Sequence, residues 1–297
     1  MTDNLPATQG GQLALSEEDM ALMAEGAKTG AESFSIKQLI VPYLGIVHGT
    51  SDYVKRGSAG FIDAARVGDI IDNLSLKPMQ EAFVIACKYE DHYTEWEVKL
   101  ERDRDGREKR GRGKLVRQWF TDRSKYDAAQ KRGRDDGDGF PRITSEGNDI
   151  NMVPTYYCLL YNNGSVRPVV LPLASTQAKK SRRWNGLIDS VEFDGPNGPF
   201  TAPIYAVVYR LTTVTEGEGD KTYPGWKIEP AGMTLAMKNG RHCWQRAQEV
   251  RKAVEEGQMR MAAPARDVTD EATATTAPAR GRGDEPPTRV ADDDIPF

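Results

Sequence analysis

The chain has 297 residues, enough for one large or two modest domains. At 38% apolar and 28% charged residues, with a mean hydropathy of −0.60, it is more polar than an ordinary compact domain, so unstructured segments are expected beside a core. No apolar run approaches the roughly 20 residues of a membrane helix, residues 1–11 lack a signal-peptide layout, and Cys87, Cys158 and Cys243 form no C-x-x-C pair. A cytoplasmic protein without membrane contact, disulfide framework or zinc ribbon is expected, its three thiols buried or inert.

The total charge of −4 argues against a nucleic-acid binder until it is split along the chain. Residues 1–34 carry six acids against Lys28, a net −5, and residues 261–297 carry eight acids against four arginines, a net −4. The stretch 35–260 is therefore +5. A positive middle between acidic ends suits a core that holds an anion.

In chain order, the first segment is an acidic arm, 1–34. Within it Ser16, followed by Glu17, Glu18 and Asp19, is an N-cap with acids in the first turn and predicts a short helix over 16–28. Strand patterns follow at Tyr43–His48 and Gly60–Arg66, then at Phe83–Tyr89, where Phe83, Ile85, Cys87 and Tyr89 alternate with Val84, Ala86 and Lys88. Further strands are predicted at Lys114–Phe120, Val153–Tyr161, Val166–Leu173, Ile204–Val214 and Thr222–Ile228. Pro168 and Pro172 put the Val166–Leu173 strand at a sheet edge. Turn signals such as Asn162-Asn163-Gly164 separate the strands. Ser175–Trp184 reads as a helix closed by Asn185-Gly186, and Cys243, Ala247, Val250 and Val254 mark an amphipathic helix over 242–256. The fold expected for 35–260 is mainly β, an elaborated barrel with one or two packed helices, interrupted by a charged, glycine-rich insertion over 99–150. From 261 the chain is rich in Ala, Thr, Pro and Arg, which predicts disorder. For about 30 such residues the root-mean-square reach is on the order of 30 Å.

Two internal segments carry concentrated positive charge. Lys179, Lys180, Arg182 and Arg183 place four cations in five positions beside Trp184, with no acid among them, and such a face attracts phosphates. Trp184 either packs on the barrel or offers its ring to a base. Between Lys99 and Arg117 nine cations face four acids, and Gly106, Gly111 and Gly113 make the segment a flexible arm or a long hairpin. Its dominant cations are Arg107, Lys109, Arg110, Arg112, Lys114 and Arg117, and it leads into Trp119. Trp119, Tyr93 and Trp226 are the rings chosen for outward stacking, since each has polar or cationic neighbours.

The chain ends in Asp292-Asp293-Asp294-Ile295-Pro296-Phe297. Three carboxylates before an apolar tripeptide can place a ring in a pocket, its terminal carboxylate on an arginine, and the aspartates along a basic ridge. This hexapeptide resembles the C-terminal tip of bacterial single-stranded DNA-binding proteins, a likeness covering about a tenth of the chain. The larger core resembles the divergent phage and mobile-element proteins of that type, acting in a bacterial cell or phage-infected host. The resemblance implies an OB-type barrel, single-stranded DNA as ligand, and replication, recombination and repair enzymes as partners. Phe297 would then be the pocket anchor, Pro296 and Ile295 its apolar support, and Asp292, Asp293 and Asp294 the electrostatic contacts.

Catalytic patterns are weak beside these. No G-x-x-x-x-G-K-[ST] loop is present, and His48, His92 and His242 have no spacing that suggests a triad. Asp135, Asp136 and Asp138 read as a turn rather than as metal ligands. The expected protein is a non-enzymatic single-strand binder without metal or cofactor. The alternatives are a strand-annealing or recombination factor, a nuclease or primase-associated enzyme bearing the same tip, and an RNA binder.

Overall fold

The computed structural model describes residues 38–102, 108–131, 141–217 and 222–261, together with Ser16, Glu17, Glu18, Ala21, Leu22 and Glu25. The last five of these are helical, as the Ser16 cap predicts. The acidic tip, the linker before it and the 135–138 turn lie outside the described residues.

Strands β1 (Ile40–Val41), β2 (Leu44–Ile46) and β3 (Ile70–Asp72) precede the two longest, β4 (Ala82–Arg102) and β5 (Glu108–Phe120). A short helix α1 (Ser124–Ala128) leads to β6 (Gln130–Lys131), β7 (Arg142–Ile143), β8 (Asp149–Asn162) and β9 (Ser165–Pro172). Helix α2 (Ala178–Asp189) is followed by β10 (Glu192–Gly195), β11 (Gly198–Thr201), β12 (Val207–Glu216) and β13 (Tyr223–Met233). Helix α3 (Gly240–Glu255) and β14 (Arg260–Met261) close the described chain. The mainly-β expectation holds, and the sheet is a curled antiparallel half-barrel with packed helices.

Its spine is the antiparallel ribbon of β4 and β8, paired from Phe83↔Tyr161 to Trp96↔Asp149. At one end β12 and β13 extend the ribbon beyond β4 and β9 extends it beyond β8. At the other end β5 pairs β4, while β7 and β6 extend β8. One pair of strands thus serves two neighbouring five-stranded arrays. The β2–β3 hairpin spans the open side of the first array. Val170 N–H donates to the Pro42 carbonyl at 2.8 Å, and Thr213 Oγ1 donates to the Gly68 carbonyl at 2.6 Å.

Alternation along the ribbon fills both faces. Ala82, Val84, Ala86, Tyr156, Cys158 and Leu160 form one core with Trp184, Leu211 and Trp226. Ile85, Cys87, Tyr157 and Leu159 form the other beneath Cys243, Ala247, Val250 and Val254 of α3, as the helical spacing predicts. A register shift between Ala86 and Lys88 changes the parity of β4, so Tyr89 lies opposite Tyr156 and leaves the face of Cys87. The simple alternation expected over 83–89 fails there. Beyond the bulge Tyr93 joins Phe120, Tyr126, Ile150 and Met152 in a third core.

The 99–150 stretch, an insertion by sequence, supplies that third core. Its β4–β5 hairpin passes through Leu100↔Arg110 to Arg102↔Glu108 with several register shifts. At Gly113 a Cβ would lie 2.8 Å from the Glu97 carbonyl oxygen, so this glycine serves close strand approach rather than flexibility.

Other boundaries also differ. Gly60–Arg66 is a series of turns, with Ala65 N–H donating to the Ile62 carbonyl and Ile62 N–H to that of Tyr53. Helix α2 runs through Asn185-Gly186 to Asp189, because Leu187 and Ile188 pack on the core and outweigh the glycine signal. Asn163 and Gly164, both at positive φ, make the two-residue β8–β9 turn that their sequence predicts. The outer side of β9 accepts only the Tyr43 bridge among the described residues, consistent with an edge strand carrying Pro168 and Pro172.

Candidate nucleic-acid interface

Helix α2 is fixed to the half-barrel by its buried residues Ala178, Ser181 and Trp184. Trp184 is 1% exposed, stacks on Tyr156 with ring centroids 3.9 Å apart, and meets Tyr209 edge-on at 5.3 Å. The ring is core, so the base-stacking role considered for Trp184 is corrected: a face packed on two aromatic neighbours has no room for a base. The Tyr156 hydroxyl lies 2.7 Å from Asn185 Oδ1 and 3.1 Å from the Ser181 carbonyl.

The cations of α2 divide in the same way. Lys180 points inward, ion-paired to Glu216 and donating to the Trp226 carbonyl. Gln177 completes the cluster, its Oε1 accepting from Trp226 N–H at 2.9 Å and its Nε2 donating to Glu216 at 3.1 Å. Burial pushes the Glu216 carboxyl upward, but the Lys180 and Gln177 hydrogen bonds overcome it and hold the group below its ordinary range. Lys180 is therefore a structural cation, a correction to its place among the phosphate contacts. Lys179, Arg182 and Arg183 are exposed on the outer face of the helix.

In the hairpin, Lys114 and Arg117 are exposed. The Arg117 guanidinium lies 4.3 Å from the Phe120 ring centre, and Arg117 sits opposite Glu95. Lys109, Arg110, Arg112 and Trp119 belong to β5 by backbone, and their side chains lie outside the described residues, as does Arg107 altogether. The stacking choices Tyr93 and Trp226 are corrected: Tyr93 packs at 5.0 Å on Tyr126 and 5.8 Å on Phe120, and Trp226 is buried beside α2.

Helix α2 and the third core, which Arg117 borders through Phe120, share one side of the spine. Tyr156 reaches Ser181 of α2 from the same side of β8 that carries Met152 and Ile150 beneath α1 and Phe120. Six residue steps lead from Ile150 to Tyr156, about 20 Å of strand at roughly 3.3 Å per residue. On the distal part of this face Lys125 is bonded to buried Glu95 at 2.9 Å, and the Arg142 guanidinium lies 4.1 Å from the Tyr126 ring centre.

Past α2 a shallow, open groove of about 440 Å³ is lined by Asn185, Ile188, Asp189, Thr201 and Ile204. It ends at the root of the β10–β11 hairpin, where Phe193 and Phe200 are 40% and 50% exposed. Sequence reasoning missed these two rings. The available signal was a phenylalanine on each side of the Asp194–Gly198 turn, at positions that pair across a two-residue loop.

A family model described as Pam3 phage gp34-like protein matches residues 9–260. The chain belongs to the Pam3 phage gp34-like family. That match spans the half-barrel, α2 and the basic hairpin of this gp34-like chain, while the acidic tip lies beyond it. No curated protein and no solved structure matches the chain. Among the described residues of the gp34-like protein, no helix is long and apolar enough to cross a membrane. Its three cysteines are all buried, and burial raises each thiol's pKa, which keeps them protonated.

Proposed function

We propose that this phage-family protein is a largely sequence-independent single-stranded DNA-binding protein, built on an OB-type half-barrel, that coats unpaired DNA during replication or recombination. The observation that carries the proposal is that α2, whose outer side exposes Lys179, Arg182 and Arg183, is anchored at Tyr156 on the same side of β8 as the Ile150–Phe120 core beside exposed Arg117, with about 20 Å of strand between the Tyr156 and Ile150 anchor points. An extended phosphate backbone can span that interval, whereas a small anion cannot. The net +5 of residues 35–260 supports the same ligand.

The acidic tip, Asp292–Phe297, is proposed to recruit replication, recombination and repair enzymes to the coated strand. The role proposed is binding, without catalysis, metal or cofactor. Fluorescence titration of the full chain with an unpaired oligonucleotide at two salt concentrations tests the core of this reading. Binding that weakens with salt is expected, and its absence rejects the proposal. In the same experiment, removal of Pro296 and Phe297 spares DNA affinity but abolishes partner capture, and an unchanged pull-down rejects the role of the tip.

A further inference from the structure

We infer that the β10–β11 hairpin is the base-stacking element of the interface, with Phe193 and Phe200 as the stacking rings; this rests on the single-strand reading above. The hairpin is pinned only at its root, where Val191 packs on the core, Ala202 is buried, and Ala202 N–H donates to the Val191 carbonyl at 2.8 Å. Beyond that root, every residue of both strands is exposed except Gly195, which is half-buried. Phe193 and Phe200 stand directly opposite each other, and Glu192 and Asp194 alternate to the other face. The ring pair and the carboxylates are thereby separated.

The two rings are tilted by 32° with centroids 5.9 Å apart. A base between them would need roughly 7 Å, twice the ~3.4 Å base-step spacing, so bases stack on the outer ring faces. The Phe200 ring rests on Gly195, where a Cβ would come within 2.9 Å of it, which fixes one side of the ring and leaves the other available. A protein ligand is also attracted to exposed phenylalanines. Continuity favours nucleic acid here: only Ser190 and Val191 separate the hairpin from α2, whose outer face presents Lys179, Arg182 and Arg183. The groove lined by Asn185, Gly186 and Asp189 of α2 and by Thr201 and Ala202 at the hairpin root lies between the helix that carries the cations and the hairpin that carries the rings. Phosphates on the helix and bases on the hairpin require only that the strand follow this groove.

The test uses the full chain, an oligothymidine of about 20 nucleotides, which exceeds a single OB-type site, and an abasic strand of equal length. The variants are F193A/F200A and F193W/F200W, with circular dichroism melts as the folding control. Loss of a stacked base lowers affinity about five- to 150-fold, so F193A/F200A should weaken oligothymidine binding by at least that lower factor. Its salt slope and its affinity for the abasic strand should match wild type. F193W/F200W should retain affinity and show quenching of the added indole fluorescence. Equal oligothymidine affinity for F193A/F200A and wild type overturns the hairpin's role and leaves the single-strand reading standing, as does an equal loss on the abasic strand. Failure of wild type to bind either strand overturns both.

Discussion

Replacing Lys179, Arg182 and Arg183 together by alanine separates the electrostatic contribution of α2 from its structural one. All three lie on the exposed face of the helix, whereas Lys180 is tied to Glu216 and to the Trp226 carbonyl. For single strands the salt slope is about −0.7 per phosphate neutralised, so losing three contacts should flatten the slope of log K against log salt by about 2. Between ~50 and ~200 mM salt, that change makes the loss of affinity about 16-fold smaller than in wild type. Lys180→Ala should leave the slope unchanged and lower stability by about 1–3 kcal/mol, since it strips the partners from a partly buried carboxylate and carbonyl. The assay is fluorescence titration of a labelled oligothymidine at four salt concentrations, with denaturant melts of each variant. An unchanged slope in the triple variant, or a flattened slope in Lys180→Ala, refutes this division.

Trp184→Ala should cost roughly 3–5 kcal/mol of unfolding free energy, because it empties the space between Tyr156 and Tyr209, while the salt slope stays at the wild-type value. A denaturant melt with unchanged midpoint contradicts this placement of the ring. His92 is buried beside Tyr157, and burial pulls its pKa down to about 4. Because the unfolded chain takes up the proton first, the contribution is intact above pH ~6.5 and disappears as pH falls toward about 4, a loss of roughly 3 kcal/mol. His92→Gln should flatten the stability profile between those limits, and an equally steep profile in that variant excludes His92 as the origin.

Local patterns were legible wherever neighbouring residues alone decide the conformation. The 3- and 4-residue spacing of Cys243, Ala247, Val250 and Val254 located α3, and Asn163-Gly164 located a tight turn. Strand patterns located most of β8 and β12, about half of β13, and only the Phe83–Tyr89 portion of the much longer β4. Patterns failed where packing competes with local preference. Gly60–Arg66 carries strand-compatible residues but closes on itself through backbone bonds to Ser58, Ile62 and Tyr53. The Ala86–Lys88 bulge is set by pairing with β8 and leaves no local mark.

The sequence by itself determined the charge layout, the mainly-β character, the two long helices and the concentration of cations at 179–183 and 99–117, because composition and periodicity are properties of consecutive residues. Tertiary structure decided which groups remain available to a ligand. Lys179 and Lys180 are adjacent and chemically identical, yet one faces water and the other Glu216. Trp184 and Phe193 are both aromatic residues beside charge, yet one fills the barrel and the other stands outside it. That difference arises because burial depends on what the opposite surface supplies, and Tyr156, Tyr209 and Trp226 reach α2 from strands distant in the chain.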